Sequence, residues 1–422
     1  MFTPTLTDAQ RTACLHILQD VTLQRLMLAL TQGGATVRVI GGAVRDALSG
    51  RPIGDIDLAA SLPPEQVVAI LSQNNIGHAP TGIDHGTITA IIDHRGFEIT
   101  SLRRDVATDG RRATVTYTDN WQEDAARRDF TINALSLDAE GTVYDYTDGL
   151  RDLMQKRVRF IGDAKTRIRE DVLRILRFYR FQSAFGGDVT DAPARTACKN
   201  LSSLLPQLSA ERVWREIAKL LATADPTPIW QMMLDDGVLA HWATAARHTD
   251  ALRNLVACEM KYEAKGFALR RLAALLACDA ELAASTAQQL KCSNREAEQL
   301  TAIARLAASW TGVPDAKEIR RALYQQRDKD GHKVVRHALF IATSRAGSDT
   351  QAALSQAFGV VEAWQAPAFP LQGQDLLKLG QPAGPQMGDL LRAVEAWWIA
   401  GDFTADKSAC LAKARELLNQ FP

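Results

Sequence analysis

Two aspartates one residue apart, Asp55 and Asp57, are the side chains of this 422-residue chain best placed to do chemistry. They follow a β-branched segment at residues 37–40 and a GGAVRD segment that contains Gly42 and Arg45. Residues two apart on a strand point to the same face, so we predict that both carboxylates meet at one point. Two hard oxygen donors suit Mg²⁺, which also takes substrate phosphates as ligands. The glycines let backbone N–H groups approach a triphosphate, and Arg45 can neutralise it.

The Asp-x-Asp pair has a less specific interpretation, because such a pair is more often a turn or a solvated strand end. Glu98, on the alternating segment 97–100, is a candidate third carboxylate, and an ordinary strand-surface glutamate is an equal alternative. The order of strand, double glycine, arginine and paired aspartates favours metal-dependent phosphoryl transfer.

A second charged segment follows at residues 170–180. At about 100° per residue, Glu170, Arg174 and Arg177 form one charged stripe on a helix. The opposite, apolar face consists of Val172, Leu176 and Tyr179. Asp171 and Arg174 are neighbours three residues apart. A carboxylate that accepts from an exocyclic amine, beside a guanidinium that donates to a ring nitrogen, imitates a Watson–Crick edge; the alternative is an ordinary salt bridge.

The charge distribution restricts where a polyanion can bind. The chain contains 49 Lys and Arg and 49 Asp and Glu, so the whole molecule has no field that would attract RNA. Residues 151–180 hold ten Lys or Arg against four Asp or Glu, which is a local basic patch. The six cysteines are scattered without zinc-ligand spacing and are predicted to be reduced and mostly buried.

Four segments in order carry a resemblance to a known family: GGAVRD with GDIDL, then RRDFTINAL at 127–135, DYTDGLRDL at 145–153, and EDVLR at 170–174. They resemble class II transfer-RNA nucleotidyltransferases and bacterial poly(A) polymerases, within the superfamily of DNA polymerase β. The resemblance implies metal and triphosphate binding by Gly42, Arg45, Asp55 and Asp57. It implies ribose contacts for Arg128 and Asp129, with Asn133 as a weaker candidate.

The same resemblance assigns the base-selecting pair and the arginines that follow it. Asp171 and Arg174 would act as a protein template that selects CTP and then ATP, and Arg177 and Arg180 would contact nucleotide or RNA phosphates. Arg212 and Arg215 can contact RNA or form salt bridges with Glu211 or Glu216. His85 is interpreted as a structural turn residue, with a substrate contact as the alternative.

The distribution of strand-like and helix-like patterns along the sequence predicts an α+β head, which is a small mixed sheet with flanking helices, followed by an all-α C-terminal region. We predict a catalytic head at 1–150, a helical neck for nucleobase selection and RNA binding at 151–239, and a helical body and tail at 240–422. Residues 8–31 carry a helical pattern before the first strand. The sequence contains no apolar run typical of a membrane segment, and we predict a cytoplasmic location.

The predicted activity is addition of CCA to tRNA 3′ ends from CTP and ATP with Mg²⁺ and no nucleic-acid template. The segment TGIDHGTIT at 81–89 resembles the CCA-adding pattern. Residues 102–123 are predicted to form a loop, and its unshortened length favours complete CCA addition. A poly(A) polymerase or a CC- or A-adding specialist is the alternative within the class. An inactive RNA-binding protein on the same fold is the alternative outside it. No protein partner is implied.

Overall fold

The β-branched segments of the N-terminal part form strands in the computed structural model, which describes residues 5–82, 86–108, 113–327, 330–346 and 351–420. His85 and residues 109–112 lie outside these described residues. The described strands are β1 (Val37–Ile40), β2 (Asp57–Ala60), β3 (Gly77–Gly82), β4 (Thr87–Ile92), β5 (Arg95–Ser101), β6 (Arg103–Thr108), β7 (Ala113–Tyr117), β8 (Ser136–Leu137) and β9 (Val143–Tyr144).

Seven of these strands form one mixed sheet in the order β3-β4-β5-β2-β1-β8-β9. β1 pairs antiparallel with β2 and β8, whereas β2 pairs parallel with β5. β6 and β7 pair antiparallel in a separate two-stranded sheet. Both strands lie within residues 102–123, which the sequence analysis predicts to be a loop. The parallel pairing of β2 with β5 is the feature that brings Asp57 beside the strand that carries Glu98.

Eleven helices accompany these strands within the described part of the first compact unit, Met1–Trp242. They are α1 (Asp8–Leu18), α2 (Val21–Gln32), α3 (Gly42–Leu48), α4 (Pro64–Gln73), α5 (Trp121–Ala126), α6 (Gly149–Met154), α7 (Ala164–Glu170), α8 (Arg174–Phe185), α9 (Ala192–Asn200), α10 (Ala210–Leu221) and α11 (Thr227–Asp235). The helical pattern over 8–31 forms two helices, because the Asp20 carboxylate caps α2 by accepting from the N–H groups of Thr22 and Leu23.

In the second unit, Ala243–Pro422, all the elements of secondary structure in the described residues are helices. Its helices are α12 (Thr249–Lys261), α13 (Ala268–Leu275), α14 (Ala280–Gln289), α15 (Asn294–Ser309), α16 (Ala316–Gln325), α17 (Gly331–Arg345), α18 (Gln351–Ala363), α19 (Gly373–Leu377), α20 (Pro385–Ala400) and α21 (Lys407–Gln420). No helix of the described residues is long and apolar enough to cross a membrane. The fold class predicted from the sequence is confirmed, whereas the boundaries at 150 and 239 stay a prediction.

The segment 145–153 braces the turn that follows the Arg-Arg-Asp triplet. The Asp145 carboxylate accepts from the N–H groups of Gly149 and Leu150 at the start of α6, at 2.9 Å each. Asp152, which is buried, accepts from the hydroxyl of Thr131 at 2.6 Å. A Cβ at position 149 would overlap the backbone carbonyl of Thr131. Glycine is therefore required where α6 packs against this turn.

Replacing Gly149 with alanine should lower the free energy of unfolding by about 3 kcal/mol, because the obstacle is backbone and not a movable side chain. Chemical denaturation of the full chain measures this value. Gly312→Ala is the matched control, since a Cβ at that position would meet nothing within 4 Å. Equal stability of the two variants would contradict the bracing role of the 145–153 segment.

Candidate active site

Asp57 and Glu98 lie next to each other on neighbouring parallel strands. Leu58 of β2 is opposite Ile99 of β5, so the residues one step earlier, Asp57 and Glu98, are also adjacent. Burial, together with the carboxylates of Glu98 and Asp55, raises the pKa of Asp57 to about 6, even though Arg128 lowers it. The charges of Asp55 and Glu98 therefore both reach the Asp57 carboxylate.

Asp55 does not lie on the strand, which corrects the sequence interpretation. β2 begins at Asp57, whose partner on β1 is Ile40, the last residue of that strand. Gly41 has φ +66° and turns the chain from β1 into α3, so β1 provides no partner for Asp55. Asp55 is exposed and lies before the strand begins, so strand alternation does not bring it to the same face as Asp57.

The chemistry of this carboxylate group fits a divalent cation. Negative charges that raise one another's pKa are stabilised by a cation placed between them. Among the described residues, no three His, Cys, Asp or Glu side chains converge into a ready-made metal cluster. Mg²⁺ commonly binds through one or two carboxylates together with waters and substrate phosphates, so paired acids with open surroundings suit it.

Arg45 is held firmly beside the glycine turn. Its guanidinium donates to Asp46 at 2.7 Å and to the side-chain oxygen of Asn133 at 2.6 Å, and it lies over the rings of Phe181 and Phe185. The side chain is 11% exposed, and burial lowers its pKa from the ordinary value. This fixed cation also lies near Gly42, the first residue of α3.

Arg128 and Asp129 are neighbours in sequence but have different partners. Arg128 donates from Nη2 to Asp124 at 3.0 Å, and its charge lowers the pKa of Asp57. Asp129 accepts from the side-chain amide of Asn133 at 3.0 Å and from Nε of Arg177 at 2.6 Å. Burial would raise the pKa of Asp129, but Arg177 and the hydrogen bonds hold it below the ordinary value.

The polypeptide around Asp129 is fixed by pairing and by an aromatic cluster. The carbonyl of Asp129 accepts from the N–H of Ile161 at 3.1 Å. Phe130 is fully buried, with its ring centroid 4.7 Å from that of Phe160 and 5.3 Å from that of Phe181. Phe181 lies on α8, so this packing holds the Arg-Arg-Asp segment against the helix that carries Arg177.

Asp171 and Arg174 do not lie on one continuous helix, which corrects the predicted stripe. α7 ends at Glu170, Asp171 has extended backbone angles, and α8 begins at Arg174. Nη2 of Arg212 lies 2.9 Å from Asp171 Oδ2, while Nη1 of Arg174 donates to Glu170 at 2.6 Å. The two candidate base-selecting residues are thus each oriented by a different partner.

α10 forms ion pairs that its local spacing does not predict. Arg212 pairs with Asp171. Glu216 is buried and accepts from Nε of Arg180 at 2.5 Å, with Nη1 of Arg177 at 3.9 Å. α10 therefore supplies one partner to the base-selecting segment and another to the arginines of α8.

The basic patch is more neutralised than its composition indicates. Six of its ten cations form ion pairs, three with carboxylates inside 151–180 and three with carboxylates outside it. The paired residues are Arg157, Arg159, Arg167, Arg174, Arg177 and Arg180. Lys156, Lys165 and Arg169 are exposed and are better placed to meet a polyanion.

Sequence reasoning missed Asp124 and the two long-range pairs Arg212–Asp171 and Arg180–Glu216. The pairing of Asp124 could have been predicted from local spacing, because Asp124 precedes Arg127 and Arg128 by three and four residues near the end of a short helix. Arg212 and Asp171 are 41 residues apart, and Glu216 and Arg180 are 36 apart, so no local spacing predicts either pair.

Two family models of known proteins match separate parts of the chain. A model described as the poly A polymerase head domain matches residues 37–159, and one described as a probable RNA- and SrmB-binding site of polymerase A matches 191–245. A mitochondrial CCA tRNA nucleotidyltransferase 1 from Danio rerio is 32% identical over 392 residues, covering 89% of this chain and 86% of that relative. The chain belongs to the CCA tRNA nucleotidyltransferase family.

Bacterial members of the family are similar over almost the full length. A CCA-adding enzyme from Limosilactobacillus fermentum is 31% identical, covering 93% of this chain and 96% of that relative. The crystal structure of the Bacillus stearothermophilus CCA-adding enzyme in complex with CTP has a TM-score of 0.79 at 25% identity and covers 94% of this chain and 97% of that chain. The family and the enzyme class predicted from the sequence are confirmed.

Proposed function

We propose that this nucleotidyltransferase adds CCA to the 3′ end of tRNA from CTP and ATP, without a nucleic-acid template. The observation that carries the proposal is the near-complete alignment with relatives named as CCA-adding, at 31–32% identity. The acidic environment of Asp57, which the charges of Glu98 and Asp55 both reach, supports the chemistry, because phosphoryl transfer is catalysed mainly by positioning and by electrostatic stabilisation.

The reaction is in-line attack of the RNA 3′-hydroxyl on the α-phosphate, with release of pyrophosphate. Asp55 and Asp57, with Glu98 as a third carboxylate, would hold Mg²⁺. When bound, the ion lowers the pKa of the attacking hydroxyl and offsets charge on the transferring phosphate. Gly42 and the Arg45 guanidinium bind the leaving pyrophosphate.

The sugar and the base are recognised by residues farther along the chain. Arg128 and Asp129 contact the ribose, and Arg177 orients Asp129 through their ion pair. Asp171 accepts from the exocyclic amine of cytosine or adenine, and Arg174 donates to the adjacent ring nitrogen. A carboxylate has about four acceptor sites, so Asp171 can keep its bond to Arg212 while it accepts from the base.

Incubation of the full chain with tRNA that lacks its CCA end tests this function. With Mg²⁺, CTP alone should give addition of two nucleotides, and CTP with ATP should give addition of three. Long A tails from ATP alone would support the poly(A) polymerase alternative and contradict CCA addition. Arrest after CC with both nucleotides would instead indicate a CC-adding specialist.

A catalytically inactive RNA-binding protein is the alternative from another class. Binding alone needs no adjacent acids on two central strands of a sheet, so the arrangement of Asp57 and Glu98 favours an enzyme. RNA binding with no incorporation under any nucleotide condition would favour the alternative. A cytoplasmic location stays a prediction, because the relatives include proteins named as mitochondrial as well as bacterial ones.

A further inference from the structure

Asp124 is a buried carboxylate that the proposed reaction does not use directly. It lies on α5 and is 3% exposed. Its Oδ1 accepts from Nε of Arg127 at 2.8 Å, and its Oδ2 accepts from Nη2 of Arg128 at 3.0 Å. Nε of Arg128 also lies 3.3 Å from the same Oδ2. Each oxygen therefore holds one guanidinium, and Arg128 is held through two of its nitrogens.

Asp124 stays ionised because these arginines surround it. Burial would raise the pKa of its carboxyl, but Arg128 and Arg127 hold that pKa below the ordinary value. An ionised carboxylate is tolerated in such a place only where cations and hydrogen bonds compensate the lost hydration. The backbone N–H of Arg103, at the start of β6, lies 3.4 Å from Oδ1 and adds a further donor.

Arg128 is directed from Asp124 towards the metal-binding end of the site. With Nε and Nη2 engaged by Asp124, its Nη1 lies 3.4 Å from the carbonyl of Asn133 and beside the glycine turn at Gly41. The charge of Arg128 also reaches Asp57 and lowers the pKa of that carboxyl. A guanidinium held through two nitrogens loses most of its rotational freedom before a ligand arrives, which reduces the entropy lost on binding.

We infer that Asp124 is a positioning residue that fixes the Arg128 guanidinium for recognition of the nucleotide ribose, an inference that rests on the proposed function. Asp124 acts through Arg128 and does not itself touch the nucleotide. Its loss should therefore impair the preference for a ribonucleotide over a deoxyribonucleotide. A purely structural role would reduce the use of CTP and dCTP by the same factor.

The experiment compares Asp124→Asn with the wild-type chain on tRNA that lacks its CCA end, using CTP and dCTP separately. The amide keeps the shape but removes the charge and one acceptor oxygen. We expect the ratio of kcat/KM for CTP to that for dCTP to fall roughly tenfold. Calorimetric binding of CTP and dCTP should show the same loss of preference, which provides a readout independent of turnover.

Glu123→Gln is the matched control, because Glu123 lies on the same helix but bonds to Thr118 and Asn120 rather than to the arginines. It should keep the wild-type ratio. Asp124→Glu keeps the charge and displaces the carboxylate, so its ratio should lie between those of the wild type and Asp124→Asn; it also serves if Asp124→Asn does not fold. A wild-type ratio in a folded Asp124 variant overturns this inference alone, whereas an inactive wild-type chain overturns the proposed function.

Discussion

Replacing Asp57 with alanine should reduce nucleotide incorporation by about a thousandfold or more, while affinity for tRNA stays within about twofold of wild type. Asp57 is the half-buried member of the carboxylate group, and Glu98 lies beside it on the parallel strand. Its removal takes away a metal ligand without changing the exposed cations of the basic patch. Single-turnover incorporation and filter binding of tRNA measure the two quantities separately.

Asp55→Ala should have a similar effect on incorporation, because its charge acts on the same site even though it precedes the strand. Glu140→Gln is the control, since Glu140 is an exposed acid in the turn between β8 and β9. Chelation of divalent cations should abolish wild-type incorporation, and added Mg²⁺ should restore it. Incorporation by either aspartate variant at the wild-type rate would contradict the metal role.

The fold class could be predicted because its signals are local. The strands at 37–40, 87–92 and 113–117 coincide with β-branched segments, and the change to helical periodicity after 151 is continuous in the sequence. The pairing of β2 with β5 could not be predicted, since parallel pairing joins segments that are distant in the chain. That pairing is the reason that Glu98 lies beside Asp57 rather than elsewhere on the surface.

The errors in the candidate site have a common physical origin. The predicted stripe of Glu170, Arg174 and Arg177 assumed one unbroken helix, but Asp171 adopts an extended conformation and its carboxylate accepts from the N–H of Leu173. Short polar side chains compete with the helix in this way, and the periodicity of the apolar residues does not reveal it. The partner that completes this arrangement, Arg212, comes from α10 and is brought close only by tertiary packing.

The predicted site residues therefore fall into two groups: those that short motifs identify, and those whose ionic partners are distant in the sequence. The segments that carry Asp57, Arg128 and Asp129 are identified from motifs that resemble the family, and the charge of Arg128 reaches Asp57. The arginines predicted to meet nucleotide or RNA, Arg177 and Arg180, are engaged with Asp129 and Glu216. A sequence records that a residue is charged but not which carboxylate neutralises it, so ligand-facing and structural arginines look the same.

Loss of base selection is the second large effect that we expect. Asp171→Asn should lower kcat/KM for CTP roughly 10- to 100-fold and raise relative incorporation of UTP, because each well-paired base contact contributes about 1–3 kcal/mol of discrimination. Cytosine and adenine each present an amine donor beside a ring-nitrogen acceptor. Uracil presents a carbonyl and an N–H in the same places, which an amide tolerates better than a carboxylate.

Arg212→Ala separates orientation of Asp171 from its chemistry. Asp171 would keep its charge and its bond to the N–H of Leu173 but lose the guanidinium 2.9 Å from its carboxylate. Discrimination between CTP and UTP should then fall by less than in Asp171→Asn, since the acceptor remains but is less fixed. Arg215→Ala, an exposed arginine on the same helix, should leave discrimination unchanged. Wild-type discrimination in a folded Asp171→Asn variant would show that the base is selected elsewhere.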